Sequence, residues 1–201
     1  MISCNRTKLL HYQDEETKKR YHAVGQVIEV LYGNRFQFAN QSALKIAQER
    51  GIRRHILFGC LLLWKAGLVD KPIIEARDNL AANGLVNWMI ERHVRVVKVE
   101  EPSINLRDGY AGCPDAKILY GEKRIVCIPD LKTGGKSEAH AIQVQAYNKL
   151  DGYTDVTLLM DLYVDDDGRV TESLVTPNPH DWAWFLSGLG VLKGRNARGI
   201  K

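Results

Sequence analysis

The stretch from Ala116 to Leu131, AKILYGEKRIVCIPDL, limits the fold more than any other part of the chain. Two apolar runs, 116–120 and 124–131, flank a Gly121-Glu122 turn, the pattern of a β-hairpin. Residues two apart on a strand share a face. Val126, Ile128, Asp130 and Lys132 therefore line one face, and charge enters only where an otherwise buried strand ends. If the hairpin turns at 121–123, Asp115 falls roughly opposite Asp130. Two carboxylates and an ammonium then meet at one corner of a sheet.

Around this hairpin the apolar period changes several times. Residues 42–66 carry apolar positions at helical spacing, with Gly67 as a stop, and 72–93 repeat the pattern. Val94, Val96, Val97 and Val99 predict a strand. Residues 139–150 return to helical spacing, and 156–164 and 169–175 form a second strand pair about Asp166-Asp167-Gly168. An aromatic-rich helix closes the chain over 180–192. The order predicts an α/β (α+β) fold, a central mixed β-sheet flanked by helices. Residues 1–201 read as one domain: a mostly helical N-terminal part (1–93), a sheet core (94–175), and a C-terminal helix with a basic tail (176–201).

Apolar content of 45% and charged content of 26% suit a folded soluble domain of 201 residues. The longest apolar candidate, 56–64, is interrupted by Gly59 and falls far short of the roughly 20 residues a membrane span needs. The opening MISCNRTKLLHYQDEETKK has no apolar signal region, so a cytoplasmic protein is expected. Cys4, Cys60, Cys113 and Cys127 are scattered without zinc-site spacing. Lys193, Arg195, Arg198 and Lys201 supply four of the 28 basic residues, leaving 24 against 24 acids in the body. That tail suits either a polyanionic partner or a solvated terminus.

Gly135-Lys136-Ser137 imitates the end of a phosphate-binding loop, G-x-x-x-x-G-K-[ST]. The first glycine of that motif belongs at position 130, which is Asp130, a carboxylate where amide N–H groups should face phosphate. The nucleotide-binding reading fails there, and TGGKS becomes a turn leaving the strand.

Asp115, Asp130 and Lys132 have a chemistry of their own. Two hard oxygen ligands suit Mg²⁺ or Mn²⁺ beside a phosphate, and a neighbouring lysine can orient water and stabilise the transition state. Taken alone, Asp-Leu-Lys is equally an ordinary surface ion pair.

The surrounding motifs carry a resemblance. Gly51-Ile52-Arg53-Arg54-His55, Gly112-Cys113-Pro114-Asp115, Ile128-Pro129-Asp130-Leu131-Lys132-Thr133 and Gln143-Val144-Gln145-Ala146-Tyr147 follow one another in order. The set resembles the PD-(D/E)XK nuclease superfamily. It is most similar to the RecB-like branch of phage exonucleases, the mitochondrial genome maintenance exonuclease and CRISPR-associated RecB-like nucleases. The resemblance implies a restriction-endonuclease-like core and Mg²⁺ or Mn²⁺ held by Asp115, Asp130, the carbonyl of Leu131 and His55. It implies catalytic roles for Asp115, Asp130, Lys132 and Gln143, and DNA contacts by Gln143, Tyr147, Thr133 and Lys136. Glu100 and Glu101 are alternative acids on the first strand, or solvent-facing residues. The implied activity is a metal-dependent deoxyribonuclease, an exonuclease on linear DNA in phage or bacterial recombination or processing, with a recombination or replication protein as partner. If phage-encoded, its place is the host cytoplasm. The alternatives are a structure-specific endonuclease of the same fold and an inactive nucleic-acid-binding module. Two departures stand out. Pro129 replaces the usual Ile or Val, predicting a bulge or an edge at the catalytic strand. The cysteine spacing does not match the cluster-binding members, so no iron–sulfur cluster is implied.

Overall fold

In the computed structural model, residues 2–5, 11–14, 16–33 and 40–199 are described. The chain runs β1 (Ile2–Asn5), β2 (His11–Asp14), β3 (Arg20–Ala23), α1 (Val24–Tyr32) and the long α2 (Gln41–Lys65). A 3-10 turn (Ala76–Asp78) leads into α3 (Asn79–Glu91), β4 (Arg95–Val99), β5 (Ser103–Asn105) and β6 (Tyr110–Gly112). Then come β7 (Ala116–Tyr120), β8 (Ile125–Lys132), α4 (Glu138–Asn148), β9 (Leu158–Val164), β10 (Val170–Val175) and α5 (Pro179–Ala197).

The expected hairpins form the larger sheet, ordered β10-β9-β8-β7-β4. Its pairs are antiparallel except β8–β9, which are parallel and connected through α4. Helices pack on both faces. One core gathers Leu57, Phe58, Leu61, Leu85 and Met89 from α2 and α3 against Ile118, Cys127, Leu131 and Met160. The other places Ile142, Val144 and Phe185 with residues of α1 against Ile128 and Leu159. β8 is thus a wall with Cys127 and Leu131 on one side and Ile128 on the other.

The helices start and stop for local reasons. Asn40 caps α2 by accepting from the N–H groups of Ser42 and Ala43. Gly67, at φ 73°, ends it, with the Leu68 N–H bonded to the Leu63 carbonyl. Ser137 caps α4 and Asn178 caps α5.

Four expectations need correction. The periodicity over 72–93 predicts one helix, but α3 begins only at Asn79, and Ile73 is fully exposed. The carboxylate of buried Asp78 binds Arg53 and Arg54 of α2 in place of capping α3, so a tertiary ion pair fixes the start. The mostly helical N-terminal part (1–93) opens with three strands. These join β6 and β5 in a second sheet, ordered β1-β2-β3-β6-β5, so the central sheet has a companion. Its strands are three or four residues long; β1–β2, β2–β3 and β5–β6 pair as local antiparallel neighbours, and a parallel β3–β6 match joins the two distant parts. The expected closing helix, 180–192, continues to Ala197, so Lys193 and Arg195 of the basic tail are helical. Lys201 lies outside the described residues. Finally, β8 lies inside the sheet without a bulge, and the edge expected at Pro129 is only local: beyond Cys127 the strand pairs with β9 alone. Among the described residues no helix is long and apolar enough to cross a membrane.

Candidate active site

Pro129 opens β8 on one side. Its match to β9 runs unbroken from Cys127 to Lys132, whereas its match to β7 stops at Ile118–Cys127. The Leu131 N–H points towards β7, because it donates to Asp115 Oδ2 at 2.7 Å. Pro129, two residues earlier, would present its missing N–H on that same side. The proline thus ends the β7 ladder one step before the charged residues and frees space that the Asp115 side chain fills. Extending the hairpin register, in which paired numbers sum to 245, places Asp115 opposite Asp130.

Three further elements close on this corner. α2 brings Gly51 and, one turn on, His55. A Cβ on Gly51 would lie 3.4 Å from Thr133 Oγ1, an ordinary contact, so this turn of α2 packs beside the end of β8 without requiring a glycine. His55 Nδ1 and Asp115 Oδ1 are 3.0 Å apart. α2 is fixed in this pose by buried Arg54, which donates to the Val164 carbonyl at 3.3 Å and to Asp166 at 2.7 Å. Arg50 donates to the Thr133 carbonyl at 3.4 Å. From α4, Gln143 Oε1 accepts from Lys132 Nζ at 2.8 Å, and Gln143 Nε2 donates to the Tyr147 hydroxyl at 3.0 Å. Tyr147 packs where Gly112 has no side chain: a Cβ there would stand 2.8 Å from the ring. Of the two motif glycines, Gly112 is thus the one that a close approach requires.

Asp130 and Lys132 are buried at 2% and 9% exposure. Lys132 Nζ lies 2.5 Å from Asp130 Oδ2. That oxygen accepts no directed hydrogen bond, so the contact is ionic and the ammonium's directed bond goes to Gln143. Leu131 sends its side chain into the α2–α3 core, leaving only its backbone at the site. Beside His55 and Asp115 a cleft of about 600 Å³ is lined by Tyr12, Ile52, Ile56, Glu100 and Tyr147. Glu100 has φ 46°, and its N–H donates to the Asp115 carbonyl at 2.9 Å. Glu101 instead faces outward and pairs with Lys98. Lys136 lies over the Tyr163 ring at 5.7 Å.

No family model matches the sequence, and no curated protein matches it. Among solved structures, an alkaline exonuclease (LHK-Exo) from Laribacter hongkongensis aligns at a TM-score of 0.50 and 14% identity, covering 89% of each chain. The two share a fold. The structure of SSO0001 aligns at a TM-score of 0.42 and 16% identity, over 86% of this chain and 75% of that one.

Within this fold the corner is strongly polarised. Burial works against the charged form of Asp115, but His55 and the Leu131 N–H outweigh it and hold the carboxyl below its usual range. For Asp130 burial prevails, and with Asp115 nearby its pKa is raised despite Lys132. Burial also opposes charge on His55, yet Asp115 and Asp130 raise its pKa. Burial keeps the Tyr147 hydroxyl protonated and neutral.

Two carboxylates, an imidazole and a backbone carbonyl are the donor chemistry of a Mg²⁺ or Mn²⁺ site, and Asp130 Oδ2, held by Lys132 through an ionic contact without a directed bond, is the oxygen a cation would take over. As they stand, no three His, Cys, Asp or Glu side chains among the described residues are arranged to hold a metal ion. Asp115 is bonded to His55 and Asp130 is paired with Lys132. Cation binding would exchange those two contacts for coordination.

Sequence reasoning missed Asp161. The β8–β9 register sets it beside Asp130, at 4% exposure, with Oδ1 unpartnered among the described residues. Its signal is a lone carboxylate inside the apolar strand LLMDLYV.

Proposed function

We propose that this protein is a divalent-metal-dependent deoxyribonuclease, an exonuclease acting on linear DNA in recombination or processing. The observation that carries the reading is the convergence of Asp115, Asp130 and Lys132 at one corner of the sheet, Asp130 and Lys132 being buried where unfunctional charge would be destabilising. The fold it shares with an alkaline exonuclease supports the reading.

Asp115, Asp130, the Leu131 carbonyl and His55 would hold Mg²⁺ or Mn²⁺. When bound, the cation supplies positive charge beside the phosphate and lowers the pKa of water there. The Lys132 ammonium orients the attacking water and stabilises the charge that builds on the phosphate oxygens. The water oxygen bonds to phosphorus, the bond to the leaving sugar oxygen breaks, and that oxygen takes up a proton. Gln143 holds Lys132 on line, and Tyr147 holds Gln143. Thr133 and Lys136, at the mouth of the turn, would meet the DNA backbone.

The test is purified protein with linear duplex, linear single-stranded and closed circular DNA, in Mg²⁺, Mn²⁺ or EDTA. Linear DNA should be degraded with metal and spared in EDTA. Robust degradation in EDTA rejects the metal chemistry. Rapid nicking of closed circles reassigns the protein as an endonuclease, and binding without cleavage makes it a binding module.

A further inference from the structure

We propose that Asp161 is a positioning residue for Lys132, the second anion that keeps the ammonium in place when the Asp130 carboxylate turns to a cation; this rests on the nuclease reading above. The parallel register matches Asp130 with Asp161 and Lys132 with Tyr163, so Asp161 and Lys132 project diagonally from the same face. Strands lie about 4.8 Å apart, well within a lysine side chain's reach.

An unpaired carboxylate has no structural purpose there. Met160 and Leu162 on either side point into the opposite core, and a buried anion without a partner is destabilising. The charged groups around Asp161 are Lys132 and Lys136, which favour its ionised form, and Asp130, which opposes it. Lys136 already lies over the Tyr163 ring. Lys132 has three donors: one goes to Gln143, one faces Asp130 without a directed bond, and one is left over.

Coordination of Asp130 would remove the nearest anion from Lys132 and bring a like charge beside it. With Gln143 alone, a neutral acceptor, the ammonium would be held against repulsion by one hydrogen bond. Asp161 offsets that repulsion without touching substrate or cation.

The test uses the full chain as wild type, Asp161→Asn, Asp161→Leu, Lys132→Ala and Asp161→Asn/Lys132→Ala. Asp161→Asn should lower turnover on linear DNA about 10- to 100-fold. KM for DNA should hold within about threefold, and Mn²⁺ affinity measured by calorimetry should be unchanged. In the Lys132→Ala background the same substitution should change turnover by no more than about twofold, since its only route is through the lysine. Asp161→Leu should melt a few degrees above wild type, which shows that lost turnover is not lost folding. Wild-type turnover in Asp161→Asn overturns the role. So does an equal loss in the Lys132→Ala background. Weakened Mn²⁺ binding would make Asp161 a ligand instead. Absence of metal-dependent cleavage by wild type would overturn the nuclease reading itself, and this inference with it.

Discussion

Burial pushes the Asp161 carboxyl up to about 6 from its ordinary 3.8, and Asp130 adds to the shift while Lys132 and Lys136 oppose it. The consequence for stability has a definite sign. Below about pH 4 the group is protonated folded and unfolded, and it costs nothing. Between about pH 4 and 6 the unfolded chain gives up the proton first, so stability falls as pH rises. Above that the cost is complete, about 2 kcal/mol once solvent screening is discounted. Melting curves of wild type and Asp161→Asn in EDTA should differ little at pH 4 and diverge in favour of the variant towards pH 7. A difference independent of pH would place the effect elsewhere. Asp130 and Lys132 separate by role. Asp130→Asn should weaken both Mn²⁺ binding and cleavage. Lys132→Ala should keep Mn²⁺ binding and most DNA binding while turnover falls roughly 100-fold or more. Near-wild-type cleavage by both would leave only an ion pair. Asp130 and Lys132 were legible in the sequence because charge breaks an apolar period. Asp161 breaks one in the same way, but with no motif around it nothing in the sequence ties it to its neighbours across the sheet.

Elements meet here through glycines. A Cβ on Gly84 of α3 would fall 1.8 Å from the Gly168 carbonyl oxygen, backbone against backbone, with nothing flexible to yield. Alanine at a helical glycine would normally stabilise by up to about 1 kcal/mol. Gly84→Ala should instead lower the melting temperature by about 5–10 °C, because α3 must leave the β9–β10 turn. Gly112→Ala pushes on the Tyr147 ring, and through Gln143 on Lys132. It should lower turnover about tenfold, more than Gly84→Ala does in protein that remains folded. Equal activity of the two variants would detach Tyr147 from the lysine. The long periodic helices and both strand pairs of the main sheet were legible because each carries its own signal within one window. The start of α3 was not, since the Asp78 carboxylate answers to arginines on another helix. Nor were β1, β2, β3, β5 and β6, whose three or four residues are too few to show a period, and whose one long-range match, β3 with β6, joins segments far apart in the chain.

Across the whole molecule, the corner draws His55 from α2, Asp115 from before β7, Asp130 and Lys132 from β8, and Gln143 from α4. No fragment could assemble it. A cation binding only this folded arrangement would stabilise the entire chain by mass action, about 2.7 kcal/mol at a hundredfold excess over its dissociation constant. Saturating Mn²⁺ should therefore raise the melting temperature by about 5–10 °C, and Asp130→Asn should abolish most of that rise. A shift that persists in the variant would locate the ion away from the corner.

Because one strand separates the two cores, neither can be redesigned alone. A larger side chain at Cys127 or a smaller one at Leu131 answers to the α2–α3 side, yet any backbone movement it causes appears on the opposite side, under Asp130 and Lys132. Helix surfaces can diverge freely at little cost to the chemistry. The volume of two side chains that never touch the corner sets a tolerance on its alignment, and a change of a single methyl group there would be felt as lost turnover before it was felt as lost fold.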